Sequence, residues 1–93
     1  MGREALQRAV DIFETQQALA AALSAVLRKP IKQQHIWNWL HRDHHIPSDY
    51  CPAIEHVTRE RIAATPSLAG TPPVLAAELR PEVFGLVRGG AVA

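Results

Sequence analysis

The stretch "PIKQQHIWNWLHRDHH", Pro30 to His45, holds two tryptophans, four histidines, three amide side chains and a single acid, Asp43. A surface laid on DNA, a metal site and an aromatic piece of core all compete for it. Spacing narrows the choice. Ile36, Trp39 and Leu40 fall at i, i+3 and i+4, which predicts a helix from about Lys32 to Arg42 with one apolar stripe. The opposite face carries Gln34, Asn38 and His41. Gln33 and Trp37 flank that face on one side, and His35 on the other.

Working outward, Leu6, Ala9, Val10 and Phe13 repeat at helical spacing, so an amphipathic helix is predicted over residues 3–13. Thr15 is placed to cap a second helix with its hydroxyl. In "QQALAAALSAVL", Leu19, Leu23 and either Val26 or Leu27 share a face, and the alanines favour helix and close approach. Pro30 ends the second helix or opens the third, since it has no N–H and pushes Lys29 out of the helical region. Beyond "HIP", Ser48 or Asp49 is placed to cap a fourth helix with Tyr50, Ile54 and Val57 inward and Pro52 in its first turn. "TPSLAGTPP" reads as an exposed loop. "VLAAELRPEVFG" reads as a short helix broken at Pro81. No segment alternates with period two, so an all-α fold without a sheet is expected, with four to five helices.

The domain organisation that follows is a compact unit over 1–64, a loop over 65–73, a short C-terminal helix over 74–85 that packs on or extends the unit, and a flexible tail over 86–93. Ninety-three residues, 47% hydrophobic, can bury a modest core in one domain. The single cysteine, Cys51, excludes an intrachain disulfide framework and suits a reducing compartment. The N-terminal "MGREALQRAV" lacks the pattern of a signal peptide, and no apolar run reaches membrane-spanning length. A cytoplasmic protein is expected.

Net charge is only +1, but its distribution is uneven. Between Thr15 and Arg42 there is no acid, while Arg28, Lys29, Lys32 and Arg42 are basic. An acid-free basic segment in a neutral chain is a local electrostatic footprint of the kind a small DNA-binding domain needs. Two short helices between flanking helices fit a helix-turn-helix domain, whose second helix enters the major groove. Amide side chains there can present a donor and an acceptor together to adenine.

"TQQALAAAL", "KQQHIWNWL", "IPSDYCPAIEHVT" and "ELRPEVFG", in that order, resemble the YdaS-like family of the Cro/CI-type (lambda-repressor-like) helix-turn-helix superfamily. These are small bacterial and prophage-associated repressors or antitoxin-like regulators. The resemblance covers residues 4–58 and 78–85. It implies base contact at Gln33, Gln34 and Asn38, a seating role for Trp39, and phosphate contact at Gln16. Arg28, Lys29, Lys32 and Arg42 are the expected phosphate partners around the groove. The chain departs from the family pattern in three places. The stretch from Ser24 to Ile31 is long, with Lys32 at the cap position. Trp37 replaces a small or polar residue. Thr65–Pro73 looks like an insertion.

The plainer readings stand beside these. The amides and cations are also what a solvated helix face carries. Trp37 has two open readings: contact with a thymine methyl, a sugar or a dimer partner, or cover for the Arg28–Ile31 turn. His35 and His41 are further candidates for DNA or interface contact. His41, His44, His45, Cys51 and His56 contain metal-ligand types, but their spacing matches no closed zinc pattern. No metal site or cofactor is expected. Cys51 reads as a buried thiol. No phosphate-binding glycine loop, nucleophile elbow or partnered carboxylate pair is visible, so no catalytic residue is assigned and an enzyme is not expected. The expected function is a sequence-specific transcriptional regulator. It would bind double-stranded operator DNA as a homodimer or higher homo-oligomer, and be nucleoid-associated through that DNA. The alternative is an antitoxin-like module whose partner is a protein.

Overall fold

The computed structural model describes residues 3–43 and 46–85. Among them are five α-helices and no strand: α1 Arg3–Phe13, α2 Gln16–Leu27, α3 Gln33–His41, α4 Cys51–Ala64 and α5 Ala76–Leu79. The expected all-α architecture holds. The tail 86–93 lies outside the described residues.

α1 buries Ala5, Leu6, Ala9, Val10, Ile12 and Phe13. At Glu14 the chain turns through a positive φ of 75°. Thr15 then caps α2: its hydroxyl accepts the Ala18 N–H at 3.0 Å. α2 buries Leu19, Ala20 and Leu23. Of the two residues proposed to continue that stripe, Leu27 packs partly against the core, whereas Val26 is 44% exposed.

α2 stops before Pro30. Arg28 is its left-handed C-cap, at φ 55° and ψ 40°, where glycine is usual. The return to α3 is closed by Ser24, whose Oγ accepts the Ile31 N–H at 2.8 Å and can donate to the Ala20 or Ile31 carbonyl, each at 2.9 Å. Ile31 is thereby held in the core. α3 starts with Lys32 as N-cap, and its ammonium cannot accept a backbone N–H. His35 supplies half a capping box instead, its Nδ1 accepting the Lys32 N–H at 3.0 Å.

A helix as short as α3 is marginal alone. Burial of Ile36, Trp39 and Leu40 supplies about 1.5–3 kcal/mol per side chain and decides that it forms. Trp39 stacks, tilted, on Tyr50 with ring centroids 5.0 Å apart.

α4 corrects one expectation. Neither Ser48 nor Asp49 caps it by a side chain; Tyr50 is the N-cap. Ser48–Tyr50 already form a 3-10 turn, in which the Tyr50 N–H reaches the Pro47 carbonyl at 3.0 Å. Backbone carbonyls thus take the donors a cap would have served. Ile54 and Val57 are buried as expected, and Tyr50 is half-buried.

The Thr65–Pro73 segment is not merely exposed loop. It contains a second 3-10 turn, Pro66–Leu68, and Leu68 packs against the core. The chain then re-enters the interior. Val74 is fully buried, and its N–H donates to the hydroxyl of Thr58 at 3.2 Å. The Ala76 N–H donates to Glu55 at 2.7 Å, and the Leu75 N–H to Glu78 at 3.0 Å. Glu78 also pairs with Arg8 at 2.5 Å. α5 ends at Leu79, before the Arg80–Pro81 junction that disfavours helix. A single wide turn, Pro81–Gly85, follows, and Arg80 donates to the Ile46 carbonyl at 3.0 Å and pairs with Glu82. Val74, Ala76 and Leu79 belong to the same core cluster as α1–α4.

Candidate nucleic-acid interface

α2 and α3 pack against each other with a turn over residues 28–32 between them. Burying Ile36, Trp39 and Leu40 fixes the rotation of α3, which turns Gln33, Gln34, Trp37 and His41 to solvent and leaves Asn38 half-buried. The expected amide face is therefore on the surface, and the structure adds its internal order. Gln33 Nε2 donates to Gln16 Oε1 at 2.6 Å, joining the first residues of α3 and α2. Gln34 Nε2 donates to Asn38 Oδ1 at 3.1 Å. Each pair uses one donor and one acceptor internally. The remaining N–H groups and carbonyl oxygens stay available to a partner.

The cations surround this face less uniformly than the sequence implies. Arg28 and Lys32 are exposed at the turn. Lys29 lies with its Nζ 5.6 Å from the centre of the Tyr50 ring, a cation–π contact that draws it toward the Trp39–Tyr50 stack. Arg42, at the far end of α3, is strongly exposed, with Asp43 3.7 Å away. No acid occupies the first turn of α2 or α3. At α2 the Thr15 hydroxyl takes one of the end donors, whereas at α3 Lys32 adds positive charge to the helix start, where it is unfavourable without an anion beside it.

Sequence reasoning missed Gln17. With Ala20, Ala21, Ile31, Lys32 and Gln33 it lines an open groove of about 590 Å³ between α2 and α3. The signal was present: Gln17 shares a flank of α2 with the small residues that let α3 approach. Also missed were Ser24, whose role depends on where the returning chain lies, and the capping role of His35, for which the i, i+3 spacing from Lys32 was the signal.

Trp39 seats α3 in the core, as expected. Trp37 is exposed, and its ring lies against that of His41, centroids 5.0 Å apart. His56 is a helix-surface group 3.8 Å from Glu60, four residues along α4. Among the described residues no group of three or more His, Cys, Asp or Glu could hold a metal ion. His44 and His45 lie outside those residues. Cys51 is fully buried, its Sγ 3.8 Å from the Pro47 carbonyl. Burial pushes its thiol up to about 11, with Arg80 nearby opposing and Glu82 adding. A thiol so protonated is a poor nucleophile. No described helix is long and apolar enough to cross a membrane.

These features define a small all-α domain with a helix-turn-helix-like pair and a polar outer helix face. The family model described as bacterial toxin YdaS matches residues 6–65, and the chain belongs to that family. The match runs from α1 through the end of α4. The "ELRPEVFG" segment at 78–85, part of the sequence resemblance, lies beyond it. No curated relative and no solved structure matches the chain.

Proposed function

We propose that the protein is a non-catalytic, sequence-specific DNA-binding regulator that lays α3 in the major groove. One observation carries the reading: the Gln16–Gln33 pair at 2.6 Å locks the start of the outer helix to the start of the helix before it. Such a lock fixes the amide row against a backbone-contacting helix end, which is what reading base edges in register with phosphates requires. Gln33, Gln34 and Asn38 meet bases. Gln16, Arg28, Lys29, Lys32 and Arg42 meet phosphates. A single domain makes few base contacts, so two copies occupy half-sites about 34 Å apart. Occupancy of such an operator blocks transcription, and a protein that occupies host DNA can impair growth, which is compatible with the toxin in the family's description.

Selection of bound sequences from random DNA, followed by equilibrium binding over a salt series, tests the reading. Gln34→Ala and Asn38→Ala each cost about 1–3 kcal/mol on the selected site and relax preference there. Lys32→Ala weakens all sequences nearly equally and flattens the salt dependence. Absence of DNA binding at low salt removes the proposal.

A second reading, an antitoxin-like protein-binding module, is favoured by exposed Val26. It lines a groove with Phe13, Ala22, Ala25 and Val57 on its apolar side and His56, Glu60 and Arg61 on its polar side. A stable co-purifying protein together with no DNA preference would support it over the first.

A further inference from the structure

We infer that Trp37 is a specificity-determining residue, held by His41 so that its indole meets the 5-methyl group of a thymine in the groove. The inference rests on the DNA-binding reading above. It begins with the contrast between two tryptophans on one helix. Trp39 is 6% exposed and fills the core; Trp37 is 42% exposed. The fold therefore does not use the Trp37 ring for burial, and the ring points to the side from which the amides also project.

Its place on the helix is specific. Gln33, Trp37 and His41 stand at i, i+4 and i+8, so they form one row along α3. Gln34 and Asn38 form the neighbouring row, bonded to each other at 3.1 Å. If the second row enters the groove, the first enters with it. The Trp37 ring is too large to be skirted. In the major groove an apolar ring finds one apolar feature on the base edges, the thymine methyl. The adjacent amides suit adenine, the partner of thymine. One A·T pair, or two neighbouring ones, can thus satisfy both rows: amides on adenine, indole on methyl.

His41 supplies the pre-organisation. Its ring lies 5.0 Å from the indole at 47°, a tilted aromatic contact one turn along. A side chain already confined loses less freedom on binding.

The test uses the full chain and its selected DNA site, with deoxyuridine replacing thymine at each position of a half-site in turn. Uracil pairs as thymine does but lacks the methyl. One replacement is expected to weaken the wild-type protein about fourfold, the value of one buried methyl. Trp37→Ala is expected to lose about tenfold on the thymine site and to be indifferent to that replacement. Trp37→Phe, which keeps an apolar ring, falls between and checks that the loss is not misfolding. Circular dichroism of all three proteins should coincide. The inference is overturned if Trp37→Ala keeps the wild-type preference for thymine over uracil, or binds as tightly as wild type. A Trp37→Ala protein with unchanged DNA binding but altered sedimentation would assign the indole to a protein interface instead. Failure of every DNA to bind would remove the DNA-binding reading and this inference with it, whereas intact binding with no Trp37 effect removes only the latter.

Discussion

Two chain returns in this molecule use the same device at different depths. In the first, Ser24 on α2 holds the Ile31 N–H at 2.8 Å and so brings α3 back against α2. In the second, Thr58 on α4 holds the Val74 N–H at 3.2 Å and so brings the C-terminal segment into the core. Each hydroxyl sits inside a helix within 2.9 Å of the carbonyl four residues earlier, Ala20 for Ser24 and Ile54 for Thr58. Mid-helix hydroxyls that bond backward are ordinarily neutral or mildly unfavourable. Here each also accepts a donor from a non-helical strand of chain, and that donor has no helical partner of its own. The difference is depth. Ser24 is half-buried; Thr58 and Val74 are fully buried. Water can reach the first site when the hydroxyl is lost, but not the second. The α2–α3 return, which positions the proposed reading helix, is therefore the more adaptable one.

The largest expected effect breaks the deeper return. Thr58→Val keeps the shape and removes the acceptor, leaving the Val74 N–H buried and unpaired. Urea denaturation should show a loss of about 1–3 kcal/mol. Ser24→Ala is expected to cost less, about 1 kcal/mol, since water can replace the hydroxyl. If the two losses are equal, depth is not what separates the returns. The Ser24 variant should also weaken DNA binding under the proposed function, because α3 loses its fixed entry; Thr58→Val should leave binding of the folded fraction unchanged.

Arg28→Gly sharpens the same contrast with opposite signs. The left-handed cap at φ 55° favours glycine, so thermal unfolding should show a gain of about 0.5–1 kcal/mol. DNA affinity should fall, since a cation at the turn is lost.

Acid should separate the returns without a mutation, and with the smallest effect. Glu78 accepts the Leu75 N–H and pairs with Arg8, and these, the backbone bond foremost, hold its carboxyl below the ordinary value of 4.5. A depressed value stabilises the fold above the unfolded value and is lost as pH falls through the folded one. Protection of the Leu75 amide against hydrogen exchange, taken relative to the intrinsic rate at each pH, should therefore fall below about pH 4.5 before that of Ile31 does. Glu78→Gln should remove the pH dependence of the difference. Glu78 is partly exposed, so the effect is modest.

Helices α1 to α3 are legible because their apolar positions repeat at helical spacing and breakers stand between them, though Pro30 by itself does not say whether it ends α2 or opens α3; it lies in the turn between them. The outer face of α3 was legible by elimination, once Ile36, Trp39 and Leu40 were assigned inward. The cap of α4 was misread because Ser48 and Asp49 have capping side chains, yet the backbone of their own turn served the donors first. Spacing leaves Val26 and Leu27 as alternatives on α2, and the packing takes Leu27, because a heptad-like stripe does not say where the neighbouring helix ends. The segment after Ala64 looked like a loop because its residues are turn formers. Leu68 and Val74 are packed only because α4 and α1 offer a surface there.

The all-α class, the extent of the first three helices, the inward stripe of α3 and the acid-free basic stretch around it can be read from the order of residues alone. All of these depend on residues near one another in the chain, where propensity, capping and spacing act. The packed core alone brings Gln33 onto Gln16, Lys29 over Tyr50, Trp39 onto Tyr50, and the hydroxyls of Ser24 and Thr58 onto returning backbone. Each joins groups well separated in sequence. Hydrogen bonds and ring contacts act over a few ångströms, and no local pattern states which distant groups the packed core will bring that close.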